Sequence, residues 1–147
     1  MNVGEAARRS GLAAKTLRYY DEIGLVTPAR ASSGYRQYSE NDVHRLRFVH
    51  RARGLGFALE DCRVLLSLYS DERRASREVK RIAEQQLVEI DRRMRELDSI
   101  RQVLGRLAES CDGDDRAECP ILDELGAEGA GAIDAFLARS ELEPEGG

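Results

Sequence analysis

Cys111 and Cys119 frame the acidic segment Asp112-Gly113-Asp114-Asp115-Arg116-Ala117-Glu118, with no histidine and no third cysteine nearby in the chain. Two thiols at this spacing suit a ligand that is satisfied by two soft donors. A soft monovalent d10 ion such as Cu(I) is matched by thiolates, whereas zinc in proteins prefers four N or S donors in a tetrahedron. His44, His50 and Cys62 all lie far upstream, so they do not complete such a set from the same loop. A divalent ion completed by carboxylates, a thiol-disulfide switch and a pair of inert thiols are the competing readings.

Two thiolates and one monovalent ion carry a net charge of -1, which the acidic loop opposes, so something must offset it. Pro120 directly after Cys119 fits the first position of a short helix, whose free amides favour a thiolate at its N-terminus. Cys62, between Asp61 and Arg63 on an expected helix, reads most simply as a small helix residue, with a redox or metal role as the lesser alternative.

A long helix must deliver the first of these cysteines. From Ser76 to Ala108 there is no proline and one glycine, Gly105, and Ala83, Leu87, Ile90, Met94, Leu97, Leu104 and Ala108 fall on a 4-3 repeat interrupted by Arg101. Such a seam marks a coiled coil, and one helix cannot bury its stripe alone. The expected partner is a second copy of the chain, with Leu87, Ile90, Met94, Leu97 and Leu104 as the dimerisation residues; packing against the chain's own front domain is the alternative, disfavoured because the stripe outlasts a small domain's width.

Upstream of that helix the pattern is that of a small DNA-reading domain. Val3, Ala6, Ala7 and Leu12 repeat at helical spacing with Gly11 as punctuation, and a second helix runs from about Ala13 to Ile23 before Gly24. Two short helices joined by a tight turn have the size of a helix-turn-helix. Ala29 to Tyr38 reads as a small hairpin wing turning at Ser32-Ser33-Gly34. Ser39 caps a third helix carrying Val43, Leu46 and Val49, with Asp42 three residues on. A fourth helix from about Leu59 to Tyr69 is expected to bury Val64, Leu65 and Leu68.

Charge agrees with this division. Residues 1–80 hold 15 Lys plus Arg against 10 Asp plus Glu, while 81–147 hold 8 against 17, so only the front invites a polyanion. Lys15, Thr16, Arg18, Tyr19 and Tyr20 lie on the helix that would enter a major groove, with Arg18 and Tyr20 the first choices for contact. Arg36 and Tyr38 in the wing are placed to grip phosphates. No apolar run approaches the roughly 20 residues needed to span a bilayer, and the first residues lack signal-peptide character, so a cytoplasmic protein with reduced thiols is expected. No nucleophile, base and orienter converge in any motif, so catalysis is not expected. A metal-buffering protein without a DNA role is the alternative of another class, opposed by the basic second helix.

Arg18-Tyr19-Tyr20-Asp21-Glu22-Ile23-Gly24-Leu25-Val26, Pro28, Gly34-Tyr35-Arg36-Gln37-Tyr38 and Ala52-Arg53-Gly54-Leu55-Gly56-Phe57 resemble the signature of MerR-family transcription regulators, over residues 1 to about 125. The resemblance implies a mainly α homodimer: winged helix-turn-helix domains at 1–70, an antiparallel coiled coil at 74–109, and a metal-binding loop with a short helix at 110–126. The loop, with Gly-Asp-Asp between its cysteines and Cys-Pro-Ile after, is most similar to that of the copper-responsive, CueR-like branch. That branch implies Cu(I) as effector, with Ag(I) or Au(I) beside it, bound by Cys111 and Cys119. Branches that sense divalent ions carry a partner-subunit cysteine at the start of the dimerisation helix; this chain has Ser76 there, which withholds a third thiolate. The resemblance further implies a palindromic double-stranded promoter and RNA polymerase as partners. The tail, 127–147, lacks the Cys/His-rich ending of some copper-sensing relatives. Ala132, Ile133, Phe136 and Leu137 in it fit a short amphipathic helix, and its glycines and acidic end fit a mobile segment.

Overall fold

A computed structural model of the chain describes residues 1–115, 117–128 and 131–139. The chain divides into a unit spanning Met1–Gln86 and a second spanning Leu87–Gly147.

In the first unit, α1 (Val3–Ser10) opens on Asn2, whose side chain accepts the Glu5 amide at 2.9 Å, and closes on Gly11 in the left-handed region. α2 (Ala14–Glu22) ends through Ile23 at Gly24, φ 71°, a conformation glycine adopts at low cost. Strands β1 (Ala29–Arg30) and β2 (Arg36–Gln37) pair antiparallel, Ala29 opposite Gln37 and Arg30 opposite Arg36, and form the expected wing. Ser39 and Asp42 make a full reciprocal capping box at the start of α3 (Glu40–Gly54), with bonds of 3.0 and 2.8 Å. α3 supplies the centre of the core, since Val43, Leu46 and Val49 are buried against Ala6, Leu17, Val26 and Tyr38.

α4 (Leu59–Tyr69) forms where expected but turns a different face inward. Cys62 and Leu66, one helical turn apart, are buried, while Leu65 and Leu68 are only half-buried and Val64 is exposed. The sequence expectation failed because this helix is apolar on several sides, so periodicity did not single out the inward stripe. Cys62, read from the sequence only as a small helix residue, packs in the core. The unit also holds the first turns of α5 (Ser76–Glu109): Ile82 is buried, and Gln86 donates to the Leu55 carbonyl at 3.1 Å.

The second unit holds the rest of α5, α6 (Pro120–Gly126) and α7 (Ala132–Arg139). The seam residues Leu87, Met94, Leu97 and Leu104 are 56–65% exposed, and Ile90 is 38% exposed. Full burial of such side chains stabilises by about 1.5–3 kcal/mol each, so the stripe lacks its cover within one chain. A second stripe, Ile100, Val103 and Leu107, is half-buried. Ala135, Phe136 and Arg139 of α7 and Ser99, Gln102, Val103 and Arg106 of α5 line a common cleft of ≈ 250 Å³. The expected tail helix thus exists, although Leu137 is exposed on it, and residues 140–147 lie outside the described residues.

Leu46→Ala is expected to destabilise the protein by about 2–5 kcal/mol in denaturant unfolding, whereas Val64→Ala stays within about 0.5 kcal/mol. A large cost at Val64 would restore the discarded face of α4.

Candidate metal centre and DNA-reading surface

Cys111 follows the end of α5, and its amide still bonds back to the Ala108 carbonyl at 3.2 Å. Gly113, φ 68°, turns the loop through a conformation that a side chain would strain. Cys119 is the residue that starts α6, with extended backbone and Pro120 in the first turn, as the sequence suggested. The two half-buried, unlinked thiols come to an Sγ···Sγ distance of 4.0 Å. Metal-thiolate bonds of about 2.3 Å allow two sulfurs on one ion to stand up to about 4.6 Å apart, so the pair fits a single bridging ion.

The Leu122 amide pulls the Cys119 thiol below its ordinary pKa, helped by the Ile121 amide and by Cys111, against burial and the Asp123 charge. These amides have no acceptor inside a helix that has only begun, so a thiolate satisfies them. Among the described residues no group of three or more His, Cys, Asp or Glu is gathered as a metal cage. Both histidines lie on α3, where His44 contacts Tyr69 and His50 lies beside Gly11. Cys62 is the opposite case, its thiol pushed up by burial.

On the first unit, Lys15, Arg18 and Tyr19 are exposed on α2 and Thr16 is half-exposed, while Leu17 is fully buried between them. Tyr20 is corrected: it is 5% exposed and burial pushes its phenol up, so of the tyrosine pair Tyr19, 47% exposed, is the outward one. Tyr20 lies three residues after Leu17 and therefore on the same inward face. Tyr38 is corrected as well. Its ring is 1% exposed, its backbone amide donates to the Met1 carbonyl at 2.8 Å, and its hydroxyl is buried without a partner among the described residues.

Arg36 is held by Asp21, Nε to Oδ2 2.6 Å, and this bond raises its already high pKa. Arg30 reaches the same oxygen at 3.1 Å, so one carboxylate on α2 fastens both wing strands. Sequence reasoning passed over Arg30 and over Tyr35, which is 78% exposed beside the wing turn. The alternation Tyr35-Arg36-Gln37-Tyr38 contained the signal, because a buried Tyr38 is odd-even opposed to Tyr35.

A four-helix core with a wing and an exposed basic second helix defines a winged helix-turn-helix protein, and its long helix α5 is followed by a thiol pair. Family profiles agree: MerR HTH family regulatory protein matches residues 1–68, and MerR, DNA binding matches residues 43–107. The HTH-type transcriptional regulator HmrR of Rhizobium leguminosarum bv. viciae is 56% identical over 125 residues, 85% of this chain and 97% of that one. CueR of Salmonella typhimurium is 45% identical over 126 residues, 85% and 91% respectively. The solved transcription regulator PbrR691 from Ralstonia metallidurans CH34, in complex with lead(II), superposes with a TM-score of 0.72 at 31% identity, covering 85% of this chain and 98% of that one. The chain belongs to the MerR family of transcription regulators, and it is not an enzyme.

Iodoacetamide labelling of the native reduced protein, read by peptide mapping, should modify Cys119 at a pH where Cys62 stays untouched. A lowered pKa means that thiolate is already present at that pH; equal labelling of the two cysteines would contradict the amide stabilisation.

Proposed function

We propose that this regulator binds a palindromic promoter as a homodimer and activates transcription when Cys111 and Cys119 bind Cu(I), or the related ions Ag(I) and Au(I). The observation that carries the reading is the lone thiol pair, 4.0 Å apart, with the Cys119 sulfur facing the Leu122 and Ile121 amides. Similarity to CueR supports copper. The chemistry is capture: two thiolates would hold the ion, and the α6 amides, donating to the Cys119 sulfur, would offset the excess negative charge. Ser76 supplies no third thiolate from the start of α5. The lead(II) complex of a relative favours divalent sensing as a second reading.

On DNA, Lys15, Thr16, Arg18 and Tyr19 of α2 meet the major groove. Arg30, Arg36 and Tyr35 of the wing meet phosphates, with Arg36 acting partly through Asp21. The exposed seam Leu87, Ile90, Met94, Leu97 and Leu104 is covered by the second copy. Phosphate contacts give most of the affinity with or without metal. The ion then acts by favouring one of two arrangements of the dimer at the promoter, since a ligand shifts an equilibrium only by its differential affinity. RNA polymerase reads the result.

The deciding measurement is a Cu(I) and zinc titration of reduced protein against a calibrated competitor, beside transcription from the promoter. Tight Cu(I) binding without comparable zinc binding is expected. Cys111→Ser and Cys119→Ser should each keep operator affinity and lose induction, and loss of operator binding would sink the separation of the two ends.

For the DNA face, Tyr19→Phe should weaken operator binding by about fivefold, the worth of one hydrogen bond near 1 kcal/mol. Tyr20→Phe should leave it unchanged in fluorescence anisotropy, and the reverse order would reinstate Tyr20 as the contact.

A further inference from the structure

α7 lies beyond residue 107, where the family profiles stop, and the proposed metal capture gives it no task. Its attachment is specific. The Ile133 amide, in the first turn of α7, donates to Glu124 Oε1 on α6 at 3.3 Å. The same carboxylate oxygen stands 2.8 Å from where a Cβ on Gly131 would be, so the residue before α7 is one that leaves room for it. Amides in a helix's first turn lack acceptors within the helix, and a negative charge there stabilises it. Glu124 belongs to the seven-residue helix that begins directly after Cys119. α7 in turn faces Val103 and Arg106 of α5 through Phe136 and Arg139. Cys119, Glu124 and Ile133 are thus linked through α6 and the cap, and Phe136 of the capped helix stands across a cleft from Val103 on α5.

We infer that Glu124 is a positioning residue that couples the thiol pair to α7, passing a movement of α6 at Cys119 to the Val103 face of α5. This rests on the metal response proposed above. α6 is a single rigid element of two turns, so a shift of its Cys119 end displaces Glu124, and with it the cap that fixes where α7 begins. The side of α5 that receives the change is not the exposed seam of Leu97 and Leu104 but the half-buried stripe beside it. Glu124 is not one of the two thiol residues and does not lie on α2 or the wing, so its effect is confined to how strongly one end of the unit responds to the other.

The test compares full-length wild type, Glu124→Ala and Glu124→Gln in three measurements: Cu(I) affinity by competitor titration, hydrogen exchange at the Ile133 amide, and Cu(I)-induced transcription from one promoter. Glu124→Ala should speed exchange at Ile133, keep Cu(I) affinity within about threefold, and cut induction by about fivefold or more, the lower end of ordinary coupling between sites. Glu124→Gln keeps a carbonyl acceptor and should restore most of the induction, a rescue that a purely electrostatic role does not provide; unchanged Cu(I) affinity in Glu124→Ala separates coupling from misfolding of the site. Faster exchange at Ile133 with undiminished induction overturns the inference, as does a Cu(I) affinity that falls in step with induction. A wild type that binds no Cu(I) overturns the functional reading and this one with it. A wild type that responds, beside an alanine variant that responds equally, overturns this one alone.

Discussion

A helix can bury one apolar stripe against its own chain, and the second half of α5 carries two. Ile100, Val103 and Leu107 are half-buried within the chain, with Phe136 of α7 near Val103, while Leu97 and Leu104 on the neighbouring stripe remain in water. At about 25 cal/mol per Å² of apolar surface, such exposure is a standing drive toward association. The two stripes give α5 two kinds of neighbour, one from its own chain and one proposed from a second copy. Surface ion pairs such as Arg92 and Arg93 with Glu89 decorate the remaining faces and, at the solvent, contribute little by comparison.

In the first unit a different economy governs. Asp21 is nearly buried, 9% exposed, and takes both Arg30 and Arg36 on one oxygen. A carboxylate so placed is stable because two guanidiniums compensate its desolvation, and removing it would strand a half-buried Arg36 without an acceptor. The basic residues of the wing are thus divided between holding the wing to α2 and presenting charge outward. The excess of cations over this internal use, at Lys15 and Arg18, lies on the outer face of α2.

Local chemistry made part of this legible in the sequence. Gly24, the Ser39 and Asp42 box and Pro120 after Cys119 each act within a few residues, and each terminus stands where it was expected. What the sequence left open was which of two adjacent residues faces in. Tyr19 and Tyr20 differ by about 100° around the helix, and only the packing of Leu17 and Val26 against α3 decides between them. Tyr38 looked like an exposed wing residue because aromatic and polar residues alternate there; the alternation separates it from Tyr35, and packing in the core cluster with Val43 and Leu46 decides which of the two faces in. The same holds for Val64 on α4. The thiol pair was readable as a pair, but the amides that face Cys119 become visible only once α6 is built.

Those amides change the argument for ion choice. Two thiolates already neutralise a divalent ion and leave a monovalent one with a net negative charge, so simple charge balance, together with the acidic loop, favours the divalent ion. Donor number points the other way: a divalent ion such as zinc asks for four ligands, and the described residues gather only the two sulfurs. In the proposed Cu(I) reading the Leu122 and Ile121 amides, which lower the Cys119 pKa, offset the surplus negative charge without adding a donor to the metal. Selectivity in this reading comes from a site that is electrostatically supported yet coordinatively poor. On that proposal, a third donor brought to the pair would turn the preference toward a divalent ion even with every charge in the loop unchanged.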